Sequence, residues 1–322
     1  MSEITVETLF YDNKDRLKLE ILTSDVGFDK TIGEPELHRP GMALTGFVDV
    51  FTFSRVQIIG NTELAYLESL DDEGRSESLR KVLAFDLPCI IITDNNLPPG
   101  EMLDIAEKRK LTIFRTVYST TFVMQLLSTY LSKKFAPYTS VHGSMVDVYG
   151  IGVLITGRSA IGKSEIALDL VERGHRLVAD DVVRLTRETQ GILIGTGSKL
   201  LGHHMEIRGI GIIDVRNIFG IRGIRYKKRV ELEVHLEDWE DDKDYERTGL
   251  DTKYKNYLDV EIPLVTLPIF PGKNVTVIIE SIALDHLLSI YGHHTAEEFN
   301  DRVIKKMKNT PDLEDYVTSD HE

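Results

Sequence analysis

Several things are scarce in this 322-residue chain, and each scarcity excludes something. There is one cysteine, Cys89, so no internal disulfide and no thiolate-based zinc site can form. It lies in the apolar run Cys89-Ile90-Ile91-Ile92 and is expected to be a buried thiol. No stretch approaches the roughly 18 consecutive apolar residues that span a bilayer. The opening segment Met1-Ser2-Glu3-Ile4-Thr5-Val6-Glu7 carries acids where a signal peptide needs cations. The sequence therefore predicts a cytoplasmic protein with no membrane association. Cations are the minority, 38 Lys and Arg against 52 Asp and Glu, for a formal net charge of −14. That balance argues against nucleic-acid binding, which needs cations to neutralise phosphates. No internal repeat is present. What remains, 42% hydrophobic and 28% charged residues, is an ordinary globular balance, and the length suits two domains of roughly 150 residues each.

The expected fold class is α/β. Val56-Gln57-Ile58-Ile59 reads as a strand, and Glu63 to Leu83 as a helix anchored by Leu64, Leu67, Leu79 and Val82. Cys89 to Thr93 is a second strand, and the helix after Leu97-Pro98-Pro99-Gly100 carries Met102, Leu103 and Ala106 at helical spacing. Leu111 to Phe114 is a third strand. In the helix Ser119 to Leu131, Phe122, Leu126 and Tyr130 recur at four-residue steps with Val123, Leu127 and Leu131 beside them. Strand and helix alternating in this way imply a parallel sheet covered by helices. No catalytic constellation occurs in this part, so residues 1–134 are read as an assembly or regulatory domain.

Lys133-Lys134-Phe135-Ala136-Pro137 ends that helix, because proline disfavours helical geometry at the residue before it. A second domain, 135–310, opens with Val141 to Tyr149 and, after Gly150-Ile151-Gly152, the run Val153-Leu154-Ile155-Thr156; the pattern predicts a hairpin. Residues 311–322 form an acidic, nearly aperiodic tail, expected to be disordered.

The hairpin's second arm leads into Gly157-Arg158-Ser159-Ala160-Ile161-Gly162-Lys163-Ser164, a phosphate-loop pattern. Its glycines let the backbone curl so that successive N–H groups face a polyphosphate. Lys163 brings charge to the β and γ phosphates, the Ser164 hydroxyl suits Mg²⁺, and the helix that follows adds the positive end of its dipole. One crossover later, Arg176-Leu177-Val178-Ala179 ends in Asp180-Asp181, which places two carboxylates at the phosphate edge of the sheet. One acid there can hold Mg²⁺, and another can accept a proton from an attacking hydroxyl; the residues alone do not say which. No Asn-Lys-x-Asp motif is present, so ATP-dependent transfer is favoured over a GTP switch. Met205 to Asp214 reads as a strand broken by two glycines, with Glu206 able to reach a Mg²⁺ shared with Ser164. Pro268-Ile269-Phe270-Pro271-Gly272-Lys273-Asn274 reads as a compact turn before a strand Val275 to Ile279. The adjacent pairs His203-His204 and His293-His294 lack the spacing of a helical metal site. The basic cluster Arg222, Arg225, Lys227, Lys228 and Arg229 reads as a solvated face.

Together these segments resemble the HPr kinase/phosphorylase family, bacterial enzymes acting on a serine of the phosphocarrier protein HPr. The resemblance rests on Val141-His142-Gly143-Ser144-Met145-Val146-Asp147, the phosphate loop with Glu165, Leu177 to Asp181, Glu206-Ile207-Arg208-Gly209-Ile210-Gly211, and Pro271-Gly272-Lys273-Asn274. It implies a P-loop kinase domain of phosphoenolpyruvate-carboxykinase-like topology in a homohexamer. It also implies ATP and Mg²⁺ as cofactors, HPr or an HPr-like protein as partner, and inorganic phosphate and pyrophosphate as reactant and product of the reverse reaction. By the same resemblance Lys163 holds the transferred group, Ser164 and Glu206 ligate Mg²⁺, and Asp181, beside Asp180, exchanges the serine proton. His142 and Arg247 complete the site, and Pro268 to Lys273 form the phosphorolysis loop. Two departures stand out. Phe270 and Lys273 occupy places where the family's better-known Gram-positive members have arginines, which weakens recognition of free phosphate. Arg158 replaces an acidic residue after the loop's first glycine. A kinase for another acceptor and a non-catalytic nucleotide sensor are the competing readings.

Overall fold

The computed structural model describes residues 3–24, 26–189, 191–198, 202–240, 253–270 and 272–308. The chain divides into two compact units between Ala136 and Pro137. In the first, the elements follow as β1 (Ile4–Thr5), α1 (Val6–Leu17), β2 (Glu20–Ile21), β3 (Thr31–Ile32), β4 (Leu37–His38), α2 (Gly41–Leu44), β5 (Val56–Ile59), α3 (Asn61–Ser69), α4 (Asp72–Leu83), β6 (Cys89–Ile92), α5 (Gly100–Lys108), β7 (Thr112–Arg115) and α6 (Thr120–Phe135). A five-stranded sheet has the order β2-β7-β6-β5-β4 and is parallel except at β2. Strands β5 and β6 are buried along their whole length, and β6 is apolar throughout, because both faces are covered. Ile59, Ile90, Ile92 and Ile113 pack towards α3, α4 and α5, while Val56, Ile58, Cys89, Ile91 and Phe114 pack towards α1 and α6. Cys89 is thus fully buried, and burial pushes its thiol up to about 12.

Two expectations change here. The helix expected over 63–83 is two helices, since Leu70 is extended and the Asp71 side chain accepts from the Gly74 N–H at 2.8 Å, capping α4. In α6 the buried stripe is Val123, Leu127 and Leu131, and Phe122 is exposed.

The second unit continues with β8 (Tyr138–His142), β9 (Ser144–Val148), β10 (Ile151–Gly157), α7 (Lys163–Glu172), β11 (Arg176–Ala179), β12 (Val182–Thr189), β13 (Ile192–Thr196), β14 (His204–Ile207), β15 (Gly211–Asp214), α8 (Val215–Phe219), a 3₁₀ turn (Ile221–Gly223), β16 (Lys227–Arg229), β17 (Leu232–Asp238), β18 (Lys253–Tyr257), β19 (Val260–Ile269), α9 (Val275–Ile290) and α10 (Thr295–Lys308). Its main sheet has the order β11-β9-β10-β17-β19-β18, beside a four-stranded sheet β16-β13-β12-β8 and the hairpin β14-β15. Strand β9 runs antiparallel to both β10 and β11, while β10, β17 and β19 are mutually parallel. Hence β10, β11, β17 and β19 all end at one edge. On one face of the sheet, Val153, Ile155, Leu232, Val234 and Leu236 pack with Ala167, Leu170 and Val171 of α7 and Ile279 and Ala283 of α9. On the other, Leu154, Val178 and Ala179 pack with Val183, Leu185 and Leu193 of the four-stranded sheet. Glu280 of α9 fastens the end of α7, accepting two bonds from Arg173 (2.9 and 2.6 Å) and one contact from His175 at 2.9 Å.

The expected hairpin is β9–β10, turning through Tyr149 and Gly150 at positive φ. Its first arm is not continuous from Val141, because the chain changes sheets at Gly143. A Cβ there would stand 2.5 Å from the Ile155 carbonyl oxygen, so only glycine lets β8 cross so close to β10. Residues Met205 to Asp214 are likewise not one strand but the hairpin β14-β15. Val275 to Ile279 is not a strand but the first turns of α9. The Asn274 side chain accepts from the Val277 N–H at 3.2 Å, and Val275, Thr276, Ile279, Glu280 and Ala283 form a buried helical stripe that overrides the β-branched composition. The basic cluster is largely paired internally, with Arg225 on Asp147 at 2.5 Å and Lys228 on Glu231 at 2.5 Å. Among the described residues no single helix is long and apolar enough to cross a membrane. The expected tail and Arg247 lie outside the described residues.

Candidate active site

The phosphate loop leaves β10 at Gly157 and enters α7 at Lys163. Gly157 has φ of 144°, Ala160 66° and Gly162 102°. A Cβ at Gly157 would lie 2.5 Å from the Leu236 carbonyl oxygen, so the loop's first turn admits no side chain. This curl and the N-terminus of α7 direct backbone N–H groups into one concavity, the arrangement that holds polyphosphates. Lys163 Nζ donates to the loop's own carbonyls, Gly157 O at 3.1 Å and Arg158 O at 2.9 Å. Arg158 grips Asp238, at the end of β17, with Nε to Oδ2 at 2.6 Å and Nη2 to Oδ1 at 2.8 Å, and that guanidinium holds the Asp238 carboxyl below the usual range.

The carboxylates follow β11 at the same edge. Ser144 Oγ at 2.5 Å and Ser164 Oγ at 3.1 Å both donate to Asp180 Oδ1. Asp180 is 9% exposed, and burial raises its carboxyl above the ordinary aspartate value even though those hydroxyls oppose the shift. Asp181 is exposed, with φ of 63°. Its carbonyl accepts from Gly143 N–H at 3.0 Å, and His142 pairs in register with Val182. His142 and the Asp180-Asp181 turn are therefore neighbours on adjacent strands.

Oxygen ligands suit a hard divalent cation, and a serine hydroxyl 3.1 Å from a carboxylate beside a phosphate concavity fits one. Glu206 is exposed on β14, whose Met205 and Ile207 share the α7 core. Among the described residues no three His, Cys, Asp or Glu side chains gather as a metal site, so Glu206 does not join the aspartates there.

Pro268 and Ile269 are the last residues of β19. The Trp239 N–H donates to Ile269 O at 3.1 Å, and its ring meets Phe270 edge-on at 5.6 Å. Lys273 Nζ donates to Pro268 O at 2.8 Å and lies 5.3 Å from the Phe270 ring centroid; burial lowers this ammonium from the usual lysine value. Gly272 turns at φ of 88°, and Pro271 is outside the described residues. A cavity of about 990 Å³ beside Val182 is lined by Ser140, Arg184, Thr196, His203 and Arg216 among others.

The profile of the HPr Serine kinase C-terminal domain matches residues 133–303, and that of the HPr Serine kinase N terminus matches 4–131. The HPr kinase/phosphorylase of Prosthecochloris aestuarii is 48% identical over 301 residues, covering 92% of this chain and 88% of that one. That of Chloroherpeton thalassium is 48% identical over 302 residues, covering 93% and 89%. The chain belongs to the HPr kinase/phosphorylase family. A solved structure, the Hpr(Ser) kinase/phosphatase from Coxiella burnetii, matches at 33% identity with a TM-score of 0.44, over 50% of this chain and 98% of that one.

For a member of the HPr kinase/phosphorylase family, the fold is the two-domain α/β architecture expected. The structure brings together the phosphate loop, both aspartates and His142, and puts Pro268, Ile269 and Phe270 at the same sheet edge, with Lys273 bonded back to Pro268. Sequence reasoning gave no role to Ser144 or Asp238. A hydroxyl two residues beyond His142 was the available signal for the first. The second was one acid in an acidic run, and only the parallel pairing of β10 with β17 singles it out.

Proposed function

We propose that this chain transfers the γ-phosphoryl group of ATP to a serine of HPr or an HPr-like protein. In reverse, inorganic phosphate attacks the phosphoserine, returning the serine hydroxyl and forming pyrophosphate. The observation that carries this reading is the pair of unlike aspartates at the phosphate loop, one buried and held by two serine hydroxyls, the other exposed beside His142.

Lys163, released from its two loop carbonyls, neutralises charge on the phosphoryl group as it passes in line between oxygens. Ser164 and Asp180 are the residues that would hold Mg²⁺, which would supply positive charge to the phosphate oxygens; the family resemblance adds Glu206, which in this structure stands apart from the aspartates. Asp181 accepts the serine proton in phosphorylation and returns one in phosphorolysis. His142 orients that carboxylate, and Arg247 adds a cation for the transferred group. Lys273 supplies a point charge, and Phe270 none, in place of planar forks, so inorganic phosphate is held more weakly than by a bidentate arginine. The family resemblance supports a homohexamer in the cytoplasm.

The test is labelled ATP with Mg²⁺ and the organism's HPr-like protein, followed by inorganic phosphate. Label on a serine, then released as pyrophosphate, supports both directions. Label that phosphate cannot release leaves a kinase alone, and label on a metabolite only overturns the reading. Lys163→Ala should abolish both directions with the oligomer intact.

A further inference from the structure

The face of the main sheet turned away from α7 and α9 carries four polar side chains that the proposed mechanism does not use. Thr156, the residue before Gly157, donates from Oγ1 to Glu233 Oε1 at 2.6 Å and lies 2.9 Å from His235 Nδ1. Tyr257 of β18 donates its hydroxyl to Glu233 Oε2 at 3.0 Å. Glu233 is 3% exposed and Thr156 6%, and these bonds arise because β10 pairs in parallel with β17 and β19 pairs with β18.

Counting protons fixes the arrangement. The Thr156 hydroxyl has one proton and gives it to Glu233, so the contact with His235 must use a proton on Nδ1. Glu233 accepts two bonds as a carboxylate, and burial together with that carboxylate raises the Tyr257 hydroxyl well above its ordinary range, keeping it a donor.

The other branch of Thr156 faces the catalytic turn. Its Cγ2 lies 3.5 Å from where a Cβ on Gly143 would stand, and the Gly143 N–H holds the Asp181 carbonyl at 3.0 Å. One χ1 angle therefore sets two things at once, the bond from Oγ1 to Glu233 just before the phosphate loop and the packing of Cγ2 beneath the backbone that carries Asp181. A β-branched side chain has few rotamers, and Glu233 selects among them.

We infer that Glu233 is a positioning residue for phosphoryl transfer, acting through Thr156 to hold the phosphate loop and the Asp181 turn in mutual register. The inference rests on the reading that Asp181 exchanges the serine proton. Glu233 is buried and bonded to Thr156 and Tyr257, so its effect reaches the transfer step through Thr156. A misplacement of about 1 Å between reacting groups costs up to roughly 100-fold in rate.

The test uses the full chain with Glu233→Gln, Thr156→Val, Thr156→Ser and the Glu233→Gln/Thr156→Val double variant. Expected is a fall in kcat of roughly 10- to 100-fold for Glu233→Gln and Thr156→Val with ATP affinity within about threefold, and a double variant no slower than the worse single. Thr156→Ser, which keeps the hydroxyl, should recover much of the rate lost in Thr156→Val. Nitrogen-15 NMR of His235 should report a proton on Nδ1 in the wild type. In Glu233→Gln the amide donates to Thr156 Oγ1, whose hydroxyl then donates to an unprotonated Nδ1, so the imidazole should move to the Nε2–H form. An unchanged kcat in Glu233→Gln, multiplicative losses in the double variant, or a wild-type His235 without a proton on Nδ1 would each overturn the inference. If Glu233→Gln does not fold, Tyr257→Phe removes one of the two bonds and should still lower kcat several-fold relative to ATP affinity; no change would count equally against the inference. The tautomer and ATP affinity are read without any acceptor protein, so they judge this network separately from the assignment of serine transfer.

Discussion

Ser164, at the start of α7, and Asp180, at the end of β11, meet at 3.1 Å on a carboxylate oxygen that Ser144 also reaches. Two hydroxyls converging on one buried oxygen separate the two adjacent acids by environment. Asp180 is buried and accepts both hydroxyls, and Asp181 is exposed. Neighbouring carboxyl groups in unlike surroundings can divide two roles between them.

That division predicts different losses from the same substitution. Asp181→Asn should lower serine phosphorylation roughly 10²- to 10⁴-fold while nucleotide affinity in the presence of Mg²⁺ is retained. Asp180→Asn should instead weaken the Mg²⁺ dependence of nucleotide binding. Phosphoryl-transfer rates at saturating ATP, with binding measured with and without Mg²⁺, check both. The reverse pattern would exchange the roles.

The Arg158–Asp238 pair is solvent-exposed on both sides, so its removal should leave the melting temperature nearly unchanged. Asp238→Asn frees a guanidinium at the mouth of the phosphate loop, and ATP should bind roughly threefold to tenfold tighter. Arg158→Met should not show that gain. Titration calorimetry of the two variants decides it, and equal affinities would mean that Arg158 never reaches the nucleotide.

Gly143→Ala puts a methyl group 2.5 Å from the Ile155 carbonyl oxygen. Relief requires β8 to move from β10, taking the Asp181 carbonyl with it. The variant should lose about 1–3 kcal/mol of stability in urea unfolding and most of its transferase activity. Full activity at lowered stability would disconnect this crossing from the site.

Glu280 gives a pH dependence of definite sign. Its bonds from Arg173, aided by His175, hold its carboxyl below the ordinary value of 4.5. The folded state thus binds this proton less readily than the unfolded chain. The stabilisation is complete above the unfolded value and lost as pH falls through the folded one. Urea midpoints measured from pH 7 to pH 3 should drop at the acid end in the wild type, and less steeply in Glu280→Gln, which should already be weaker at neutral pH. Parallel curves would remove Glu280 as the cause.

Local chemistry made much of this legible. The phosphate loop is one contiguous pattern, and a short apolar strand ending in Asp180-Asp181 needs only the right-handed crossover to reach the same edge. The parallel strands of the first unit were readable because burial on both faces leaves short, mostly apolar runs, unbroken in Cys89 to Ile92. The misreadings have specific causes. Val275 to Ile279 is β-branched, yet the Asn274 cap and a stripe continuing to Ala283 make it helical. The long helix over 63–83 concealed the Asp71 cap within an otherwise helical composition. Least legible was Glu233, which meets Thr156 across 77 residues. That contact exists only because two parallel strands align, and in sequence Glu233 is one acid among many.

Cys89 lies with no exposed surface in the core beneath α1 and α6, and a thiol pushed up to about 12 scarcely ionises at neutral pH. Because it is the only cysteine, the outside of the folded molecule offers nothing to a maleimide. Spectroscopic labels can therefore be attached at engineered cysteines, one at exposed Asp169 on α7 after the phosphate loop and one at exposed Val277 on α9 after the turn for instance, without first removing the native residue. The distance between these two helices could then be followed through a full catalytic cycle in an otherwise unaltered protein.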